Sequence, residues 1–139
     1  MIKKTLKATN IELTDAIGTY VDKILTAIEK HVDADDTSVL ADIEVGKTSR
    51  HHKSGDDIFR AEVNLHTRLG TFRAVSETGD LYAAIDDVKD EISQMLASKK
   101  RRRNDFLRKS NLALKNMIRG AYDIGKGSWK KAYRWRKDS

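Results

Sequence analysis

Apolar residues between Ile2 and Leu96 recur at two spacings, and the order in which those spacings follow one another admits few folds. Ile2, Lys4, Leu6 and Ala8 alternate with Lys3, Thr5, Lys7 and Thr9. That period of two predicts a strand with one wet face, Lys4 being its imperfect inward position. Ile17, Val21, Ile24, Leu25, Ile28 and Val32 fall three or four apart, which is one stripe of a helix. Thr14 can cap that helix, Asp15 suits its positive end, and the acidic run 33–36 ends it. Period two returns in Val39, Ala41, Ile43 and Val45. It returns again, after the polar loop 46–57, in Phe59, Ala61, Val63 and Leu65. Leu69 and Gly70 predict a tight turn into a fourth strand over 71–76. Thr78, Gly79 and Asp80 predict a turn and a cap, and Leu81, Ile85, Val88, Ile92, Met95 and Leu96 make a second helical stripe.

The order is therefore β-α-β-β-β-α. Strands that alternate need cover on one side only, and two amphipathic helices supply it. The predicted fold class is α+β: a two-layer sandwich, a four-stranded mixed sheet with two helices on one face. A parallel first β-α-β step demands a right-handed crossover. The outer face of the sheet would show Lys3, Lys7, Arg60, His66, Arg68 and Arg73 among Asp42, Glu44 and Glu62.

Charge divides the chain where the second stripe ends. Residues 1–98 carry 12 Lys/Arg and 18 Asp/Glu, a net of −6, and residues 99–139 carry 15 and 3, a net of +12. The expected organisation is an α+β domain over 1–98 and a basic, aromatic-containing tail over 99–139, partly helical or disordered until bound. No targeting segment is expected, because the opening residues lead into no apolar stretch.

Little in the body suggests catalysis. The chain has no cysteine, so redox pairs and thiolate metal sites are excluded. Asp33, Asp35, Asp36, Asp86, Asp87, Asp90 and Glu91 end a helix or line its wet side. They show none of the cleft pairing that separates the pKa values of catalytic carboxylates. His51 and His52 are adjacent in a polar loop without the further ligands zinc requires, and no Gly-rich phosphate loop or nucleophile elbow is present. No enzyme activity, metal, cofactor or small-molecule substrate is expected.

The tail carries the clearer signal. Lys99, Lys100, Arg101, Arg102 and Arg103 are five consecutive cations. One or two would complement a helix C-terminus, whereas five repel one another unless a polyanion neutralises them. Arg108, Lys109, Lys115, Arg119, Lys126, Lys130, Lys131, Arg134, Arg136 and Lys137 follow, interleaved with Phe106, Tyr122, Trp129, Tyr133 and Trp135. Aromatic faces stack unpaired bases while guanidinium groups pair with phosphates, so nucleic acid is the expected partner. An amphipathic membrane-surface segment is the main competitor. Gly120, Gly125 and Gly127 argue against one continuous helix through the tail.

Three segments carry a resemblance. "KATNIELTDAI", "DIEVGKTSRHHKSGDDIFRAEVNLH" and "AVSETGDLYAAIDDVKDEI" are similar to the ribosome hibernation-promoting factor family, the bacterial ribosome-associated inhibitors of the subunit interface. The likeness spans residues 2 to about 100, and the basic tail does not resemble the dimerisation domain of the family's long form. The resemblance implies a fold like a double-stranded-RNA-binding domain with an added first strand. It implies a cytoplasmic protein whose partners are the small ribosomal subunit, the whole ribosome and 16S-type rRNA. There it would occupy the mRNA/tRNA channel, inhibit translation and preserve idle ribosomes, with no membrane partner expected. Alternative readings are a general double-stranded-RNA-binding module and a stress adaptor acting through a membrane-associating tail.

The candidate rRNA contacts in the body are Lys3, Lys7, Lys47, Arg50, His51, His52, Lys53, Arg68, Arg73 and Lys89. In the tail they are Lys99, Lys100, Arg101, Arg102, Arg103, Arg108, Lys109, Lys130, Lys131 and Arg134, with Trp129, Tyr133 and Trp135 as base-stacking candidates.

Overall fold

The computed structural model describes residues 2–48 and 57–138, with side chains through residue 120. Its elements run β1 (Lys3–Thr9), α1 (Asp15–Glu29), β2 (Leu40–Lys47), β3 (Phe59–Thr67), β4 (Gly70–Thr78) and α2 (Leu81–Asp138). The sheet order is β1-β2-β3-β4. β1 and β2 pair in parallel across α1, and the other two pairs are antiparallel. The expected α+β sandwich is the fold observed.

Local chemistry sets the ends of these elements. Asn10, at φ 59°, takes the left-handed conformation that stops β1, and its Nδ2 donates to the Lys47 carbonyl at 3.3 Å. The Thr14 hydroxyl accepts the Ile17 N–H at 3.2 Å and caps α1, with Asp15 in the first turn. α1 ends at Glu29, earlier than the Val32 stripe predicts. His31 N–H and Val32 N–H bond to the carbonyls of Ile28 and Glu29, so the chain tightens into a turn that still packs Val32 against the core. Gly70, at φ +126°, closes the hairpin in a conformation that a side chain would resist. Asp80 Oδ1 accepts the Tyr82 N–H at 3.3 Å at the start of α2.

The core lies between the helices and one face of the sheet. Ile17, Val21, Ile24, Leu25 and Ile28 of α1 and Leu81, Ala84, Ile85, Val88, Ile92 and Leu96 of α2 are buried with Ala41, Ile43, Val45, Ala61, Val63, Leu65 and Ala74 of the strands. Among the described residues no polar or charged residue is buried in that cluster. The inward position held by Lys4 is reconciled at the sheet edge, where its ammonium pairs with Asp22 of α1. The chain divides into two compact units, Met1–Lys99 and Lys100–Ser139.

The interruption expected at the tail glycines is corrected by the structure, in which α2 runs as one helix from Leu81 to Asp138. A glycine costs a helix about 1 kcal/mol relative to alanine and does not forbid it. Gly120 sits in a run of Leu, Ala, Lys, Met and Arg, all good helix formers, and the chain has no proline to break it.

Candidate nucleic-acid interface

The side chains facing away from the helices form four cross-sheet rows: Lys3–Leu40–His66–Thr71, Thr5–Asp42–Asn64–Arg73, Lys7–Glu44–Glu62–Val75 and Thr9–Gly46–Arg60–Glu77. Asp42, Glu44 and Glu62 occupy the middle strands and Glu77 the edge strand β4, and neighbours satisfy them, Glu77 through Arg60 at 3.8 Å. Glu62 accepts from Arg60 Nη2 at 2.8 Å, Arg73 Nε at 2.9 Å and Asn64 Nδ2 at 3.2 Å. Burial alone would push its pKa up, but the hydrogen bonds from Asn64, Arg60 and Arg73 outweigh that and hold the carboxyl below its ordinary value. Glu44 accepts from Thr9 Oγ1 at 3.0 Å, and His66 bridges Asp42 at 3.1 Å and Thr71 at 3.2 Å. The face is thus a charge-paired polar surface. Its shallow depression of about 180 Å³, lined by Thr5, Lys7, Asp42, Ile43, Glu44, Glu62 and Asn64, is smaller than a usual small-molecule pocket.

The predicted contact residues of the body fall into different settings. Lys3 and Lys7 lie exposed on the edge strand β1. Arg73 is bound to Glu62, as above, and Lys89 reaches Asp90 at 3.4 Å. Lys47 pairs with Asp57 at 3.0 Å, and the Thr48 N–H donates to the Ile58 carbonyl at 2.8 Å, so these bonds join the described residues on either side of 49–56. Arg50, His51, His52 and Lys53 lie outside the described residues.

Arg68 sits in the β3–β4 turn against the acidic segment after α1. Its guanidinium donates to Asp35 at 2.7 and 3.2 Å and to Asp33 at 3.2 Å, and its backbone N–H donates to Asp36 at 2.9 Å. The hydrogen bonds to Asp35 and Asp33 raise the Arg68 pKa, and the bond from Arg68 lowers that of Asp35. The run 33–36, expected to end α1, lies beyond that end at Glu29 and instead clamps the hairpin. Sequence spacing showed the acids and the arginine but not their meeting, across 33 residues. Arg60, placed outside but not chosen as a contact, completes the Glu62 cluster with Arg73.

On the helix layer, Asp86 and Asp87 are tied into the body. Tyr20 Oη donates to Asp86 at 2.5 Å, Ser76 Oγ donates to Asp87 at 2.9 Å, and the Tyr20 and Tyr82 rings meet edge to face at 5.0 Å. In the tail unit, Arg101, Arg102, Arg108, Lys109, Lys115 and Arg119 are exposed, and Arg108 pairs with Asp105 at 3.0 Å. Lys130, Lys131, Arg134, Trp129, Tyr133 and Trp135 lie on helical backbone, with side chains outside the described residues. Among the described residues no group of His, Asp and Glu could hold a metal ion, and no helix is long and apolar enough to cross a membrane.

Comparison with known proteins extends the geometry. Residues 5–104 match the family described as sigma 54 modulation protein / S30EA ribosomal protein. The ribosome hibernation promotion factor of Deinococcus radiodurans is 30% identical over 97 residues, which are 70% of this chain and 48% of that one. That of Lactococcus lactis subsp. cremoris is 28% identical over 105 residues, 75% of this chain and 52% of that one. The chain spans about half the length of the curated relatives it matches. Among solved structures, the N-terminal domain of Thermus thermophilus Protein Y is 30% identical, with a TM-score of 0.56, covering 68% of this chain and 93% of that one. A ribosomal subunit interface protein from Coxiella burnetii shares the fold at 14% identity, with a TM-score of 0.55 over 73% of this chain and 99% of that one.

Proposed function

We propose, for a chain that belongs to the sigma 54 modulation protein / S30EA ribosomal protein family, that it binds the ribosome as a hibernation factor and acts by occupancy, not catalysis. The observation that carries this reading is the family match over residues 5–104, which takes in most of β1, the other three strands, α1 and the first turns of α2. The finer reading is that the body occupies the mRNA/tRNA channel of the small subunit, where it inhibits translation and preserves idle ribosomes. A cytoplasmic site of action follows from that role.

Charge suggests how the work is divided. A body of net −6 gains little long-range attraction to RNA, so its docking depends on shape and on local cations such as Lys3 and Lys7 at the sheet edge. The tail, at +12, supplies attraction over distance. Arg68 and Arg73 reach phosphate only by sharing or leaving their carboxylates, so their part in this reading is chiefly to hold the hairpin in shape.

Sucrose-gradient sedimentation of extract from starved cells tests the proposal. The expected result is co-migration with small subunits or whole ribosomes, with protection of channel rRNA in footprinting and competition by mRNA and tRNA. Absence from every ribosomal fraction would overturn it, and equal affinity for free duplex RNA would replace it with a general RNA-binding role.

A further inference from the structure

The tail unit has a second face that RNA does not explain. At about 100° per residue, Phe106, Leu107, Ala113, Leu114, Met117 and Ile118 fall within an arc of about 140° on α2. All six are exposed, Met117 at 70%. Arg101, Arg108, Lys115 and Arg119 cluster on the far side, their arc centred about 150° away. Residues 99–120 hold nine Lys and Arg against the single Asp105, a net of +8.

An occupant of the apolar face must offer hydrocarbon and negative charge together. RNA neutralises the cations but leaves the apolar stripe in water. A second copy would offer hydrocarbon but bring another +8 helix in place of negative charge, so the contact would leave the cations of both helices without a counter-charge. An anionic bilayer surface offers both, since its acyl boundary takes the stripe while its headgroups attract the cations. The segment 106–118 is about 20 Å long, too short to span and suited to lie flat.

We propose that the 106–118 stretch of α2 is an interfacial helix that seats Phe106, Leu107, Leu114, Met117 and Ile118 in anionic lipid. Such a helix lies in the surface, a mode distinct from a span, and it revises the expectation that no membrane takes part. The far-side arginines stay outside the bilayer in this arrangement. The proposal does not rest on ribosome binding and gives the same chain a second, lipid-facing activity.

Co-sedimentation of the full chain with vesicles tests it, using phosphatidylcholine alone and an equal mixture of phosphatidylcholine and phosphatidylglycerol. Binding is expected to the mixed vesicles and not to the neutral ones. Leu114→Gln and Ile118→Gln are each expected to weaken it by about tenfold, as for the loss of one buried aliphatic side chain. Leu112→Gln is the control: Leu112 is equally exposed but lies off the stripe, and the change is expected to leave binding within about twofold. Neither glutamine variant is expected to lower helix content by circular dichroism. Three results would overturn the proposal: no binding to mixed vesicles, equal binding to both kinds, or binding that the Leu114 and Ile118 variants leave unchanged. A dimer in sedimentation velocity that the same variants abolish would assign the stripe to a second copy instead.

Discussion

Tyr20 of α1 and Asp86 of α2, 66 residues apart in the chain, meet through a hydrogen bond of 2.5 Å that joins the two helices outside the hydrophobic core. The bond to Asp86, then burial, pushes the Tyr20 pKa from 10.0 up to about 12. A raised folded-state value means this stabilisation is complete below pH 10 and is lost as pH rises through 12. Urea unfolding followed from pH 9 to 12 is expected to show that loss. Tyr20→Phe is expected to remove it and to cost about 1 kcal/mol at neutral pH. A phenylalanine variant with the same alkaline slope would assign the loss to other groups.

Acid should act on a different contact. Asp35 is held below its ordinary value of 3.8, chiefly by the Arg68 hydrogen bond. A lowered folded-state value gives stability that is present above 3.8 and lost as pH falls through the depressed value. Arg68→Ala is therefore expected to flatten the decline in stability below about pH 4, measured by denaturant midpoint. An unchanged acid limb would mean the clamp contributes nothing to folding.

Gly46 pairs with Thr9 across the parallel β1–β2 ladder, and a Cβ there would lie 2.6 Å from the Thr9 carbonyl oxygen. That oxygen belongs to backbone and cannot swing aside. Gly46→Ala is expected to destabilise the body by about 1–3 kcal/mol, the usual cost of overpacking, in thermal or urea unfolding. A neutral result would show that β1 shifts freely at its end.

Ribosome affinity, if phosphate contacts dominate it, should depend steeply on salt. About six such contacts would lower affinity roughly a thousandfold between about 50 and 200 mM salt, taking the duplex-DNA slope as a guide. Replacing Lys99, Lys100, Arg101, Arg102 and Arg103 with glutamine is expected to weaken binding and flatten the slope while leaving the rRNA footprint in place. Binding as tight as the parent's at physiological salt would reduce the cluster to a solvated stretch of helix.

The sequence by itself determined the elements and the layer each one buries. Period-two runs such as Val39, Ala41, Ile43 and Val45 can hide their apolar side only as strands, and stripes such as Ile17 to Ile28 only as helices; these are local consequences of backbone geometry. The charge division near residue 98 was equally legible, because net charge needs no coordinates. Tertiary structure alone decided the partners. Lys4 looked misplaced until Asp22 of α1 stood beside it. Arg68 looked available for phosphate until folding brought Asp33 and Asp35 to its guanidinium. The continuity of α2 past Gly120 was also hidden, since a glycine's penalty is small and is decided by the helix formers around it. Hydrophobic pattern is written along the chain, but a charge is bound or available only according to what the fold sets within about 4 Å of it.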